Sequence, residues 1–390
     1  MKSVFPLTIL FFVGVANLNA QKAITGLILD IDTAQPLEFV DVYNEYDHTS
    51  SNNEGKFTFH TEGTEVNLNM LGYENLTLDI EDIKSDTFYL KSKFYELDEV
   101  VVSSNYQPIL EVFKKIETNY PFIPFAEAFF LRSSLKKDEK LVKLQDINGT
   151  VQRKALLGTS KNPMPKKNYV VNVENMRKAR VNEKEVYFEM FSLEELFTAM
   201  TSIYVNPKSY NFDQANSTDS LFTKFSFSPK PSSKFTSKGY YLVNVHDLAF
   251  NEFYLVSDSK NQTFREKGQF KYRTIYYELS VRFKKADIDD KYYIDKAKVN
   301  ATVEVIDADT QPVFYKAQYH WYTRGPVNLE VKKNVSVQKD LFRIDKPYKN
   351  DFWRNQNQLL LTTEMETFLN NLSSSSKNEY RFISDSKNPK

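Results

Sequence analysis

The sequence predicts a mainly β protein: an N-terminal β-sandwich followed by an α+β part with a larger curved antiparallel sheet and a few helices. Three observations predict this class. The 390 residues include 31 Phe and 24 Tyr, and aromatic side chains fit a pleated, half-buried surface well. Glycine and proline, at 10 and 14 residues, are too few for a low-complexity or collagen-like chain. Short apolar segments separated by turn residues recur along the chain, which is typical of β architectures.

Residues 1–20 are predicted to be a cleaved export signal. Lys2 supplies the positive charge, an apolar run extends from Phe5 to Ala16, and Ala20 offers a small residue for cleavage before Gln21. The apolar run is shorter than the roughly 20 residues that a membrane-spanning helix needs. We therefore expect an exported protein whose mature chain carries no transmembrane helix.

Residues 22–103 are predicted to form the β-sandwich. Short segments rich in β-branched and aromatic residues follow one another at regular spacing, which is the pattern of an all-β sandwich. Asp30 and Asp32 could supply oxygen ligands to calcium, but we interpret them as part of a turn in which an Asp side chain bonds local backbone. The predicted strands are Ile24–Ile31, Phe39–Tyr43, a strand containing Phe57 and Phe59, Val66–Met70, Leu76–Ile80 and Phe88–Leu90.

Five motifs in this region occur in a specific order. They are Ile24-Thr25-Gly26, Asp30-x-Asp32-Thr33 with Pro36-Leu37 and Val40-x-Val42, Asn53-Glu54-Gly55-x-Phe57, Leu71-Gly72-Tyr73, and Leu97-Asp98-Glu99-Val100-Val101-Val102. This order resembles the carboxypeptidase-like regulatory domain, a transthyretin-like sandwich at the N-terminus of TonB-dependent receptors and of large outer-membrane proteins of Gram-negative bacteria. The resemblance covers about the first quarter of the chain. It implies an interaction module in the periplasm or at the outer membrane, and it implies no peptidase activity, because the zinc ligands of metallocarboxypeptidases lie in a separate domain.

Residues 106–372 are predicted to form the α+β part with the curved antiparallel sheet. Apolar residues at helical spacing follow Pro108 and predict a helix. Ser192 and Glu195 form a capping box that predicts the start of a second helix, and Thr363 is interpreted as the cap of a third.

Two further segments of this part differ in pattern. From Ile275 to Phe283, apolar and polar residues alternate, which predicts a strand with one buried and one wet face. Asn206–Lys238 is rich in Ser, Asn, Lys and Pro and is interpreted as a long loop. Residues 373–390 are interpreted as a polar, disordered tail.

Composition and motifs argue against several functions. The 51 Lys and Arg residues balance 51 Asp and Glu residues, so the basic excess of a nucleic-acid-binding protein is absent. The sequence has no cysteine, which excludes disulfides, thiolate metal sites and a cysteine nucleophile. His48, His60, His246 and His320 do not occur at the spacing of a zinc site, and no nucleophile elbow or phosphate-binding loop is present. We therefore expect no catalytic residue, metal or cofactor.

Two aromatic clusters are the candidate ligand or partner surface. They are Tyr319-His320-Trp321-Tyr322 and Asp351-Phe352-Trp353-Arg354, in which Trp321, Trp353 and His320 are the candidate residues. Aromatic side chains of this kind anchor ligands and protein interfaces. The alternative is that both tryptophans belong to the core.

These observations favour a non-catalytic binding or scaffolding protein that is periplasmic or associated with the outer membrane. Its partner would be an envelope protein or an apolar ligand. Two alternatives remain, namely a hydrolase whose site is assembled in the second part of the chain and a component of an outer-membrane β-barrel. The strands carry more charge than a lipid-facing band tolerates, which disfavours the barrel.

Overall fold

A computed structural model describes residues 22–93, 107–181, 188–216, 221–259, 262–307, 311–346, 352–353 and 359–374. These residues form a mainly β protein with a large antiparallel sheet and few helices, which confirms the predicted fold class. The predicted export signal, residues 94–103 of the predicted sandwich and tail residues 375–390 lie outside the described residues. No helix in the described ranges is both long enough and apolar enough to cross a membrane.

The chain divides into two compact units, and residues 22–93 supply most of the first. Its strands form two small sheets, ordered β4-β1-β7 and β3-β2-β5-β6, and only β1 and β7 pair in parallel. Apolar side chains from both sheets share one core, in which Ile28, Val42, Phe59 and Leu68 are fully buried. The strands are β1 (Lys22–Asp30), β2 (Asp41–Tyr43), β3 (His48–Ser50), β4 (Lys56–Thr61), β5 (Glu65–Asn69), β6 (Leu76–Asp79) and β7 (Thr87–Leu90).

The turn after β1 is stabilised by Asp30, as interpreted from the sequence. One carboxylate oxygen accepts hydrogen bonds from the backbone N–H groups of Asp32 (3.0 Å) and Thr33 (2.7 Å), and the other accepts from the Tyr73 hydroxyl (2.9 Å). The hydrogen bonds from Thr33, followed by that from Tyr73, lower the pKa of Asp30. The carboxylate therefore satisfies local donors in a turn.

The second unit contains an eleven-stranded antiparallel sheet. Its order is β10-β9-β8-β18-β17-β16-β14-β13-β12-β11, with β15 paired to β16. Most pairings join strands close in sequence, whereas the pairing of β8 with β18 joins distant segments. The two edge strands of this order are β10 and β11. The strands are β8 (Phe125–Lys137), β9 (Lys140–Arg153), β10 (Tyr169–Arg180), β11 (Tyr210–Asn216), β12 (Phe222–Pro229), β13 (Lys238–Asn244), β14 (Ala249–Asp258), β15 (Arg265–Lys267), β16 (Phe270–Lys285), β17 (Tyr292–Asp307) and β18 (Val313–Val327).

Helices cover one face of this sheet. We call this the inner face; it carries Leu279, Val299 and Trp321, and it shares one continuous core with the first three helices. The opposite, outer face packs against the last helix near β9 and β10, where Leu144 contacts the apolar cluster of Phe368. The helices are α1 (Gln107–Lys114), α2 (Ile116–Asn119), α3 (Leu193–Thr201) and α4 (Thr363–Ser374).

The helix α3 begins as predicted. The Ser192 hydroxyl accepts a hydrogen bond from the Glu195 backbone N–H (3.2 Å), and the Glu195 carboxylate accepts one from the Ser192 N–H (2.7 Å), which completes a capping box. The start of α4 differs by one residue. The Thr362 hydroxyl accepts from the Met365 N–H (3.2 Å), so Thr362, and not Thr363, caps the helix.

The interpretation of Asn206–Lys238 as a long loop is wrong, because the segment contains β11 and β12. Phe212, Phe225 and Phe227 are buried on the inner face. Each alternates with polar residues, which is the strand period of two. The Ser, Asn, Lys and Pro content of the segment concealed this alternation.

Candidate functional site

A cavity of about 550 Å³ lies on the inner face of the second unit. Its floor is the start of β16 and the end of β17. Its walls are residues 188–192, which we call the wall segment, and residues 338–343. The volume is within the range of roughly 300–1,000 Å³ that is usual for small-molecule sites.

The floor of the cavity is apolar and half-buried. Residues two apart on a strand point to the same face, so Phe270 and Tyr272 of β16 lie beside Val303 and Val305 of β17 on the inner face. All four retain partial exposure. Farther along these strands, Leu279 and Val299 of the same face are buried in the core that the helices share. The floor is therefore a part of the apolar inner face that the helices leave open.

The wall segment is fixed on both sides. The Phe191 ring stacks on Tyr319 of β18 (centroids 5.1 Å apart, planes at 10°), and the Phe191 N–H donates to the Tyr319 hydroxyl (2.8 Å). On the other side, the Met190 N–H donates to the Asp340 carboxylate (2.8 Å). Burial raises the pKa of Tyr319, so its hydroxyl stays protonated. These bonds fix the wall before any ligand arrives, which reduces the ordering cost of binding.

The rim of the cavity carries charges of both signs. Glu189 forms ion pairs with Lys267 (3.0 Å) and Arg343 (3.3 Å). The hydrogen bond and charge of Lys267, followed by the charge of Arg343, lower the pKa of Glu189. Lys339 also lines the cavity, and it makes no ion pair with any residue in the described ranges. The exposed position of these side chains keeps each pair weak.

The other two carboxylates at the cavity bond to the protein. Asp340 accepts hydrogen bonds from the backbone N–H groups of Met190 (2.8 Å) and Phe342 (2.7 Å) and thereby caps a short 3₁₀ helix. Glu195 accepts from the N–H (2.7 Å) and hydroxyl (2.9 Å) of Ser192 in the capping box of α3. Both acids therefore stabilise the walls.

Trp321, a candidate residue from the sequence, lies in the core of the inner face with 1% of its surface exposed. Its ring stacks on Phe129 (4.4 Å between centroids, 15°) and meets the edge of Phe197 in α3 (5.2 Å, 87°). It does not line the cavity.

His320 and Trp353 lie on the other side of the sheet. His320 precedes Trp321 in β18 and therefore points to the outer face, where it is opposite Arg132 of β8. The register continues to Asp146 of β9 and Arg177 of β10, and the Arg177 guanidinium lies 4.4 Å from the Trp353 ring centre. His320 and Trp353 thus flank one row of charged residues, which we call the outer cluster (Arg132, Asp146 and Arg177). The structure does not bring Trp321 together with them, and a partner role for the three residues stays a prediction.

The outer cluster is closely hydrogen-bonded. Asp146 accepts from Nε (2.7 Å) and Nη2 (2.8 Å) of Arg132 and from Nε (2.9 Å) and Nη2 (2.8 Å) of Arg177. The Asp146 carboxylate is fully buried, and Arg132 is almost so. Such multiply bonded guanidinium–carboxylate contacts are the stronger kind of hydrogen bond in proteins.

A second buried ion pair, which we call the inner pair, joins Glu127 of β8 to Arg153 of β9. Arg153 Nε donates to Glu127 Oε2 (2.8 Å), and both side chains are fully buried. Both Nη atoms of Arg153 and Oε1 of Glu127 have no hydrogen-bond partner among the described residues. The Arg153 guanidinium instead lies against the rings of Phe197 (4.6 Å to its centre), Tyr169 (5.6 Å) and Trp321 (5.8 Å).

Sequence reasoning missed the cavity residues. The alternation of Phe270 and Tyr272, and of Val303 and Val305, identifies an apolar face but does not say which part of it a helix covers. Over the ranges that the structure describes, no group of three or more His, Asp or Glu side chains is placed to hold a metal ion.

Compared with known proteins, the chain matches no family model and no curated protein. Among solved structures, it has a faint likeness to one described as lipid–protein interactions in lipovitellin, with 7% identity, 57% of this chain and 27% of that chain covered, and a TM-score of 0.22. A chain of the Pseudomonas aeruginosa MucA/MucB complex gives 8% identity, 54% and 92% coverage, and a TM-score of 0.19. Both scores are too low to support a conclusion about fold or function.

Proposed function

We propose that this protein is a non-catalytic binding protein of a Gram-negative envelope, and that it holds an apolar ligand in the inner-face cavity. The observation that carries the proposal is the half-buried floor of Phe270, Tyr272, Val303 and Val305 inside fixed walls. Soluble proteins usually cover such a surface, and an uncovered one marks a binding site. Burying this floor against an apolar ligand is favourable by roughly 25 cal/mol for each Å² removed from water.

The envelope location rests on the sequence. Residues 1–20 have the pattern of an export signal, and the ordered motifs between Ile24 and Val102 resemble the carboxypeptidase-like regulatory domain. We propose that the first unit is such a module and serves to contact an envelope partner. Its two facing sheets with a shared core are compatible with that assignment. Release of the chain by osmotic shock, with an N-terminus at Gln21, is the expected result, and an N-terminus at Met1 would contradict export.

The ligand proposal is tested by filling the cavity. Val303→Trp places a large ring on the floor, so the affinity of the purified protein for the neutral fluorescent probe N-phenyl-1-naphthylamine is expected to fall by about tenfold or more, because the probe loses most of its contact with the floor. Thr302→Trp is the matched control, since Thr302 is the next residue of β17 and points to the outer face.

The two variants are compared only if both retain the circular dichroism spectrum and cooperative melting of the wild type. Val305→Trp provides a second obstruction of the same floor. Unchanged probe affinity in both floor variants, or an equal loss in Thr302→Trp, would mean that the probe binds elsewhere and that the cavity is not the ligand site.

A further inference from the structure

We infer that the ligand of the inner-face cavity is an anionic amphiphile, with its apolar chain on the floor and its carboxylate or phosphate at the rim beside Lys339. This inference rests on the proposed function and adds the chemical class of the ligand. It follows from how the charged groups of the cavity are engaged.

The carboxylates that line the cavity are engaged by the protein. Asp340 bonds two backbone N–H groups, and Glu195 bonds Ser192 in the capping box. Glu189 lies between two cations, Lys267 and Arg343. A cationic headgroup would have to compete with these contacts for each of the three acids.

The cations of the rim are engaged less completely. Lys267 and Arg343 share the single carboxylate of Glu189, and Lys339 has no carboxylate partner in the ranges that the structure describes. The lining residues have equal numbers of acids and bases, but each acid is engaged by the protein, whereas Lys339 is a base without an ion-pair partner in the described ranges. An anionic group at Lys339 completes this arrangement without breaking an existing contact, and a charge-assisted hydrogen bond there is about twice as strong as a neutral one.

The helix α3 does not offer a competing anion site. Its N-terminus faces the cavity through Ser192 and Glu195. However, the Ser192 hydroxyl and the Glu195 carboxylate already cap it. The carboxylate also places a negative charge at that end of the cavity. The headgroup position is therefore the ammonium group of Lys339 and not the helix N-terminus.

The inference is tested with four ligands that share one apolar tail: dodecanoate, dodecyl phosphate, dodecanol and dodecyltrimethylammonium. Dissociation constants are measured by displacement of N-phenyl-1-naphthylamine at concentrations below those at which the ligands form micelles. We expect one or both anions to bind about tenfold more tightly than dodecanol, because each gains a charge-assisted contact, and the cation to bind least tightly. The ranking of dodecanoate and dodecyl phosphate shows which headgroup the rim prefers.

The variant Lys339→Gln is expected to reduce the affinity for the preferred anion by about fivefold to tenfold and to leave dodecanol unchanged. Lys333→Gln is the matched control, because Lys333 is exposed in the same stretch of chain and does not line the cavity. High salt is expected to weaken binding of the anion to the wild type far more than binding of dodecanol.

The outcomes separate the inference from the proposed function. If dodecanol displaces the probe and neither anion binds more tightly, or if the cation binds most tightly, the anionic class is wrong while the cavity remains an apolar site. An equal loss of anion affinity in Lys339→Gln and Lys333→Gln would also overturn it. If no ligand displaces the probe and Val303→Trp has no effect, the proposed function itself fails.

Discussion

The outer cluster, on β8, β9 and β10, and the inner pair, on β8 and β9, lie on opposite faces of the sheet, yet they satisfy their buried charges in different ways. In the outer cluster, two guanidinium groups donate four hydrogen bonds to the single carboxylate of Asp146. In the inner pair, Arg153 donates one hydrogen bond to Glu127, and three of their polar atoms lack a hydrogen-bond partner among the described residues. Hydrogen bonds satisfy the outer charges, whereas aromatic faces surround the inner arginine.

The two carboxyl groups are buried equally, and their pKa values shift in opposite directions. Burial alone would raise the pKa of Asp146, but the charges and hydrogen bonds of Arg132 and Arg177 outweigh it and hold the pKa below the ordinary value. Burial raises the pKa of Glu127, because the single charge of Arg153 offsets only part of the desolvation. At these two sites, one neighbouring cation does not prevent burial from raising the pKa of the carboxyl group, whereas two cations hold the pKa below its ordinary value.

The largest expected effect is the loss of the Asp146 charge. Asp146→Asn removes the carboxylate that Arg132 and Arg177 share, and an arginine cannot neutralise itself by releasing its proton. We expect the free energy of unfolding to fall by about 3–5 kcal/mol, measured by urea denaturation. Glu127→Gln is expected to cost less, because the rings around Arg153 still stabilise its charge and burial already raises the pKa of Glu127.

These two variants are a matched pair, because each replaces a buried carboxylate by its amide on one face of β8 or β9. A loss in Glu127→Gln that equals or exceeds the loss in Asp146→Asn would show that the aromatic faces do not replace hydrogen bonds. The comparison between the two groups would then fail.

The pH dependence of stability is expected to have opposite signs for the two groups. Ionised Asp146 stabilises the fold above its unfolded pKa of about 3.9, and this stabilisation is lost as the pH falls through the lower folded value. Glu127 is held protonated in the folded chain above its unfolded pKa of about 4.3. Its contribution to stability therefore decreases as the pH rises through the raised folded value.

The measurement is urea denaturation of the wild type and both variants from about pH 3 to about pH 8, a range that includes the unfolded pKa values of both carboxyl groups. The wild-type advantage over Asp146→Asn should shrink in acid. The difference between the wild type and Glu127→Gln should instead decrease as the pH rises. Parallel changes in both differences would show that the two carboxyl groups do not differ in the direction of their pKa shifts.

Sequence patterns predicted the fold class because strands in both units show the period-two alternation. These patterns failed to predict strands whose composition or short length concealed the alternation. His48–Ser50 forms a three-residue strand without an apolar residue, and Phe225 and Phe227 lie in a segment dominated by Ser and Lys. The alternation predicts that Ile275 lies on the buried face, but a bulge between Thr274 and Tyr276 shifts the register there. A period-two pattern does not reveal a bulge, because bulges depend on the partner strand.

The candidate site was less predictable than the fold. Alternation places His320 and Trp321 on opposite faces, so their separation was available from the sequence. The cavity was not, because Val299 and Val303 have the same local pattern. The positions of α3 and the wall segment leave Val299 buried and Val303 open to the cavity. The pairing of β8 with β18 is likewise long-range, and local sequence patterns do not specify it.

The smallest expected effect concerns the Trp353 ring, which contacts Arg177 of the outer cluster. Trp353 stacks on Arg177, the partly exposed member, whose side chain is 14% exposed. Trp353→Leu keeps an apolar side chain there and removes the aromatic face, so we expect a loss of about 1 kcal/mol in the free energy of unfolding. Phe352→Leu is the control, because the Phe352 ring packs against Trp353 with centroids 5.0 Å apart, whereas Trp353 is the ring that lies over Arg177.

A double-mutant cycle isolates this cation–π contribution from lost packing. In an Arg177→Met background, Trp353→Leu should cost less than in the wild type by about 0.5–1 kcal/mol, which is the coupling expected for such a contact. A coupling of zero would mean that Trp353 contributes only apolar burial. The aromatic contact of Arg177 would then differ in kind from those of Arg153, whose guanidinium lies against three rings and has no second carboxylate.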